Sequence, residues 1–540
     1  MFKYLFTLSF IFVLLDAKLT LEDISEKPSS HAKDFMIWQY LKQNITPSQA
    51  DKAYEQVDNK KNSKLFRIYA KKTKNKDVKY KLSCRRKSNL LNITDTKCLE
   101  LAFTPYKAIK LSNKQRVKLS KKLASKHKID LLNILNEKKE VQAYRKYKPN
   151  TILTLFGSTG YKYRKKYLNI MLEKDFLDSL TSSWRISRFI YNVVHNDSLD
   201  KLQLSLLKID GGNLNSLTNF FLGLNSLRHS DKQAAIGYFE LSATKAKRNI
   251  NRDKNNFWLY KITKDKKYLN KLLLSMDINM YTLYEREKTN LNFENYFISL
   301  DTKQKKSSKK LYDPFEWSKI RQEIKNTKKD KLFELAKLYN QEDMLPVQAL
   351  IMQKAYGYNI HSYIMPYDKY LNDLPLDTKA LIYALMRQES NMIPSALSHS
   401  YALGLMQIMP FVTDDISKRI KNPIKSYNDM FLPEYNIRYS RAHIKWMQKH
   451  LNHPLFMAYA YNGGLGFLKK HLRHGNFKKG KYEPFLSMEM MSNSESREYG
   501  KRVLANYVIY KKVLGDSVSI VHLFDTLLQQ KKTVHSRKQG

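Results

Sequence analysis

Residues 381–390 read LIYALMRQES. Helical spacing puts Leu381, Leu385 and Glu389 at i, i+4 and i+8, with Met392 three residues further on, so a carboxylate falls on an otherwise apolar stripe. Desolvation makes a charge costly there and raises the pKa of the carboxyl. A carboxyl still protonated near neutral pH is what a general acid needs. Three later stretches carry groups suited to a polyhydroxylated ligand. GLMQIMP (404–410) joins Gly404, which permits close backbone approach, to Gln407, which has donor and acceptor groups. AYNGG (460–464) sets the ring and hydroxyl of Tyr461 and the amide of Asn462 before a turn at Gly463 and Gly464. ESREYGKRVLANYVIY (495–510) is a charged helix. One acid, several amides and aromatic walls make up the inventory of a saccharide cleft. Singly, each piece is ordinary: a surface glutamate, a turn, a charged helix face. Their ordered co-occurrence carries the reading.

That order, ES then GLMQIMP then AYNGG then ESREY, resembles the soluble lytic transglycosylases, whose catalytic domain has a goose-type lysozyme-like fold. The resemblance covers about residues 366–515. It implies that Glu389 is the single catalytic acid and base, and that the substrate is held by Ser390, Ser398, Met406, Gln407, Tyr461, Asn462, Glu495, Arg497 and Tyr499. Within that set, Met406 and Gln407 match positions lining the sugar cleft, and Tyr461 and Asn462 match the pair near the reacting N-acetylmuramic acid. Glu495 matches a positioning residue rather than a second catalyst, and Arg497 and Tyr499 complete its element. The implied activity is a peptidoglycan lytic transglycosylase. It would cleave the MurNAc-β-1,4-GlcNAc bond and leave 1,6-anhydromuramoyl ends in cell-wall turnover, with no cofactor and no metal. Implied partners are peptidoglycan glycan strands, with an anionic membrane surface or other cell-wall enzymes as further candidates. The rivals are a non-catalytic peptidoglycan-binding scaffold and a lysozyme-type hydrolase. Two departures stand out. Tyr401-Ala402 replaces the family's Gly-Ala step, with Ser398 at the expected serine, and MEMMSNS (488–494) is longer than the usual linker before ESREY.

These residues need a scaffold, and the chain of 540 residues with 42% apolar content is long enough for several domains. Its 96 Lys+Arg against 50 Asp+Glu give a formal charge of +46, which favours polyanionic partners. Lysines that simply solvate helix surfaces are the other reading of this charge, and because the chain carries an expected export signal and no nucleic-acid motif, no nucleic acid is expected. The apolar run from Leu5 to Leu15, preceded by Lys3 and followed by Ala17, has the length of a signal-peptide core. Cleavage after Ala17 would place the chain in the periplasm of a Gram-negative bacterium; an uncleaved short anchor is the alternative. In such an oxidising compartment Cys84 and Cys98 are expected to form a disulfide between neighbouring helices, with two buried free thiols as the other option.

No proline occurs between Pro149 and Pro314, so the middle of the chain can run as helix after helix. Residues 217–247 read as a helical hairpin, with Phe220, Phe221 and Leu224 facing Ala235, Tyr238 and Phe239 across a Ser230-Asp231 turn. The expected fold is predominantly all-α. Its divisions are a signal peptide (1–17), an α-superhelical solenoid or ring (18–310), a helical linker domain (311–365), a lysozyme-like catalytic domain (366–520) and a basic disordered tail (521–540).

Overall fold

The computed structural model describes residues 19–303, 305–473 and 475–528. The expected signal peptide (1–17) lies outside these residues. The chain is predominantly all-α; the strands named among the described residues are Tyr296–Phe297 and His361–Ser362, a short parallel pair. Helices used below are α1 His31–Tyr40, α2 Ser63–Lys72, α3 Lys76–Arg86, α4 Thr96–Ala102, α5 Ser216–Arg228, α6 Lys232–Thr244, α7 Asn249–Thr263, α8 Leu376–Ser390, α9 Pro433–Gln448, α10 Pro454–Gly463, α11 Ser494–Val513 and α12 Ile520–Leu527.

Helices α5 and α6 form the hairpin. Asp231 caps α6 by accepting from the Ala234 N–H, and Ser230 takes φ 64° to turn the chain. Gly223 lets the helices approach closely: a Cβ there would lie 2.7 Å from the Phe239 ring. A separate apolar cluster built on Leu311, Ile320, Leu335, Met344 and Ile351 fills the 311–355 region and includes Ile393 from the domain that follows. One boundary needs correction. The tail expected to be disordered from 521 begins inside α12, which buries Ile520, Leu523, Phe524 and Leu527. These apolar residues recur at i, i+3, i+4 and i+7, the spacing of a packed helix face. Residues 529–540 lie outside the described residues.

The helical succession meets the C-terminal domain at several places, two of them marked by aromatic contacts. Near its start, Phe35 on α1 packs against Tyr401 and Phe431, with centroids 5.3 and 6.2 Å apart. Further along, Phe257 on α7 packs against Phe485 at 4.7 Å. Close by lies a buried ionic cluster. Lys501 Nζ is 3.0 Å from Glu489 and 3.1 Å from Glu498, and the Tyr281 hydroxyl donates to Glu489. Lys254 on α7 is buried with its Nζ 4.0 Å from the Phe220 ring centroid. Burial pushes the Glu498 carboxyl up, but Lys501, Lys254 and Arg497 outweigh it and hold it well below the usual range. The longer MEMMSNS stretch supplies Glu489 to this cluster.

Removing one member of such a cluster leaves an uncompensated buried charge. Lys501→Met is expected to lose about 3–5 kcal/mol in urea unfolding. Adding Glu489→Gln should recover part of that loss; a double variant less stable than the single one would contradict this account.

Candidate active site

Glu389 occupies the last turn of α8. The helix stops because Asn391 and Met392 take φ 50° and 65°, outside the helical region. Arg387 fixes its rotation: Nε donates to the Ser362 carbonyl at 2.7 Å, a terminal nitrogen donates to Asn506 Oδ1 at 2.6 Å, and the guanidinium stands 4.2 Å from the Tyr363 ring centroid. Glu389 is only half-buried by surface, yet protein crowds it closely enough that water solvates it poorly. That burial pushes its carboxyl up to about 8, Glu495 adds to the rise, and the Tyr499 hydroxyl, donating to Oε1 at 2.7 Å, opposes it. At neutral pH the group is therefore mostly an acid, with its proton available.

The GLMQIMP loop is built around Asn436 on α9. Asn436 Oδ1 accepts from the Met406 N–H at 2.9 Å, and Nδ2 donates to the carbonyls of Leu403 and Met430 at 2.9 and 2.7 Å. Gly404, at φ 73°, is required here: a Cβ would lie 2.2 Å from both Asn436 Nδ2 and the Met430 carbonyl. Gln407 takes φ 46°. Its Nε2 donates to the carbonyls of Ala396 and Gly404 at 2.9 and 2.8 Å, which leaves Oε1 as an open acceptor. Tyr461 on α10 donates its hydroxyl to the Met406 carbonyl at 2.7 Å. Asn462 bridges to α11, accepting from Ser496 Oγ at 2.7 Å and donating to Glu495 Oε1 at 3.3 Å. Gly500 lets these helices close together, since a Cβ there would lie 2.2 Å from the Tyr459 ring. A continuous polar chain thus links Tyr461 with the 404–407 loop, and the same helices carry Tyr499 to Glu389.

Four residues expected to hold substrate have other work. Ser390 is buried and returns its hydroxyl to the Met386 carbonyl at 3.2 Å. Met406 is fully buried, with its N–H donating to Asn436 and its carbonyl accepting from Tyr461. Arg497 is 1% exposed and is spent on Glu498, on the Tyr191 hydroxyl and on the Met491 carbonyl. Ser398 shapes its own loop, its Oγ accepting from the Ala402 N–H at 2.9 Å. Ser390 and Met406 stand beside Glu389 and Gln407, but both are buried. Sequence reasoning missed Asn436. Its signal is an amide among the buried positions Ile437, Ser440 and Ile444 of an amphipathic helix.

Tyr401 explains the departure from Gly-Ala. It holds φ 62°, a conformation that costs a side-chain-bearing residue roughly 1–2 kcal/mol. The ring is fully buried and stacks on His31 at 5.5 Å. Its hydroxyl accepts from Asn62 Nδ2 at 3.0 Å. His31 Nε2 bonds the Ser398 carbonyl at 2.8 Å, and Lys64 Nζ donates to the Ser400 carbonyl at 2.7 Å. The loop before GLMQIMP is therefore gripped by α1 and α2.

With this geometry in view, similarity to known proteins can be placed on it. Residues 375–483 match the transglycosylase SLT domain. The SLT stretch contains Glu389, GLMQIMP and AYNGG and ends before ESREY. The chain is 29% identical over 214 residues to the soluble lytic murein transglycosylase of Escherichia coli K12, covering 38% of this chain and 32% of that protein. It is 30% identical over 203 residues to a putative soluble lytic murein transglycosylase of Haemophilus influenzae, covering 37% and 33%. The match thus spans about a third of the length of these relatives. Among solved structures, the 70 kDa soluble lytic transglycosylase of Escherichia coli aligns over 93% of this chain and 84% of its own at 16% identity and TM-score 0.45.

The Tyr401 contacts set two effects against each other. Tyr401→Gly removes the backbone strain but empties a site filled by a buried ring, a loss of about 3–5 kcal/mol for a large aromatic. The variant is expected to be less stable by about 2–3 kcal/mol in denaturant unfolding; a gain in stability would show that strain dominates at this position.

Proposed function

We propose that the protein is a peptidoglycan lytic transglycosylase acting on the MurNAc-β-1,4-GlcNAc bond. The observation that carries this reading is Glu389: a carboxyl pushed up to about 8, with one hydroxyl donor on it and an open amide acceptor on the neighbouring loop. The SLT match over 375–483 and the relatives named as murein transglycosylases support it.

In this reading Glu389 gives its proton to the glycosidic oxygen as the C1–O bond breaks. The 2-acetamido oxygen of the substrate stabilises the electron-poor C1. Glu389, now a carboxylate, takes the proton from the muramic C6 hydroxyl, and that oxygen bonds to C1. The acid is regenerated, no water is consumed, and a 1,6-anhydro ring is left. Tyr499 steadies the carboxylate between the two proton transfers, because its hydroxyl bonds the charged form better than the neutral one. Gln407 Oε1 and the helix ends at Tyr461 and Asn462 offer contacts for sugar hydroxyl and acetamido groups. Glu495 and Asn462 orient one another. We place the enzyme in the periplasm of a Gram-negative bacterium. The Cys84–Cys98 disulfide supports an oxidising compartment.

Glu389→Gln is expected to abolish release of muropeptides from purified sacculi while the far-UV spectrum is retained. Mass spectrometry of wild-type products should show anhydro ends, one water lighter than reducing ends. Reducing ends would instead identify a hydrolase, and full activity of the variant would remove Glu389 from the mechanism.

The pH dependence has a defined sign. Glu389 must be protonated to start the reaction, so kcat/KM should fall as pH rises through about 8. Because the Tyr499 hydroxyl lowers the Glu389 pKa, Tyr499→Phe should move this limb to higher pH. Folded Glu389 holds its proton more tightly than the unfolded chain, so ionisation destabilises the fold between about pH 4.5 and about pH 8. Glu389→Gln should therefore raise the melting temperature relative to wild type at pH 8, but not at pH 4.

A further inference from the structure

Residues 60–148 hold 28 Lys or Arg against six Asp or Glu, a net +22 in a chain whose total is +46. The density peaks at α3. Residues 71–87 hold nine Lys or Arg and one acid, Asp77. Lys76, Lys79, Lys81, Arg85, Arg86 and Lys87 are all exposed, and among the described residues none of them forms an ion pair.

A helix like this has little reason to fold alone. Its 11 residues are below the length at which isolated helices are stable in water, and Lys81 and Arg85 repel one another at i, i+4. Cys84 is its one buried residue. A covalent link fastens it: Cys84 is joined to Cys98 on α4, with the Cα atoms 5.1 Å apart, and Lys107 Nζ donates to the Arg85 and Lys87 carbonyls at its C-terminal end. The Tyr80 hydroxyl adds a bond to Asp95, the N-cap of α4. Helix-dipole stabilisation accounts for Arg85 and Arg86 at the C-terminus. The same dipole makes Lys76 and Lys79 unfavourable, because they stand in the first turns. The cations also surround the helix instead of lining one groove. Exposed Tyr80 and Tyr106, at 38% and 56%, stand in the same region, and Lys110 Nζ lies 4.7 Å from the Tyr106 ring centroid. Lysines and arginines interleaved with exposed tyrosines suit a headgroup layer, where aromatic rings settle and anionic lipids attract cations.

We propose that α3, fastened by the Cys84–Cys98 disulfide, is a docking element for an anionic lipid bilayer. The self-repulsion of this helix is relieved when lipid phosphates replace water around it. The element belongs to the N-terminal helices, whereas Glu389 belongs to the C-terminal domain, so attachment and cleavage are borne by different residues. The proposal does not depend on the reaction assigned to Glu389.

The test is co-sedimentation of the full chain with vesicles of phosphatidylglycerol and phosphatidylcholine, beside vesicles of phosphatidylcholine alone, at low and high salt. Wild type should sediment with the anionic vesicles only, and salt should release it. Lys76→Gln/Lys79→Gln/Lys81→Gln should weaken partitioning by about 100-fold, since each charge near an anionic surface counts for roughly one factor of five. The melting temperature should hold or rise in that variant, since the repulsion within the helix is reduced, and the rate of muropeptide release from sacculi should stay unchanged. Cys84→Ser/Cys98→Ser should also bind more weakly, which separates the role of the disulfide from that of charge. Equal binding by wild type and the lysine variant, equal binding to neutral vesicles, or retention on purified sacculi without any vesicle binding would each overturn the proposal. If vesicle binding behaves as expected while Glu389→Gln stays active, the docking element stands and the catalytic reading falls.

Discussion

A carboxyl that must keep its proton at neutral pH constrains everything around it. Desolvation has to be strong, and the number of donors aimed at the group has to be small, because two or three hydrogen bonds to the charged form would pull the pKa down again. Glu389 meets both conditions with burial and a single hydroxyl at 2.7 Å. Glu498, on the helix that carries Tyr499, shows the opposite outcome. It too is deeply enclosed, but three cations surround it and it stays ionised. The same side chain on neighbouring helices thus keeps its proton in one place and stays a structural anion in another. The difference lies in what faces each carboxyl, not in how deep it sits.

Holding that arrangement requires a frame, and the frame comes from well beyond the four motifs. Arg387 fixes the rotation of α8 through Ser362 and Asn506. Asn436 ties the 403–406 backbone to α9. Tyr401 accepts strain so that its ring can key into α1 and α2. The ionic cluster at Glu489 and Lys501 fastens the other side of the domain to the helices around Tyr281. The C-terminal domain is gripped from both sides by the helices that precede it. This accounts for buried polar groups at positions where a free-standing domain would show apolar ones.

How much of this was visible in the sequence differs from residue to residue. The apolar stripe around Glu389 and the order of the motifs pointed to the acid and its neighbours. The α5–α6 hairpin was legible because its spacing and its turn residues are local signals. Orientation within a motif was not. Ser390 lies next to Glu389, but a helix turns successive side chains by about 100°, so adjacency in sequence says little about which one a ligand meets. Contacts between residues hundreds of positions apart, such as His31 with Ser398, leave no trace in a single sequence. Tyr401 stands out in the sequence as a departure, but its reason lies in its contacts with α1 and α2.

Charge is distributed with the same division of labour. Residues 366–528, which carry the site, hold 22 Lys or Arg against 14 Asp or Glu, a net +8 over nearly twice the length that carries +22 around α3. Exposed cations respond to salt, since charges beyond about 8 Å apart are largely screened at physiological ionic strength. The proton on Glu389 does not respond in this way, because it is governed by burial and by one short hydrogen bond. A chain built like this can vary its hold on an anionic surface while the acid stays poised. Putting the same cations beside Glu389 would undo that separation. Each would stabilise the carboxylate and lower its pKa, as the three cations do at Glu498, and the group would lose its proton at neutral pH.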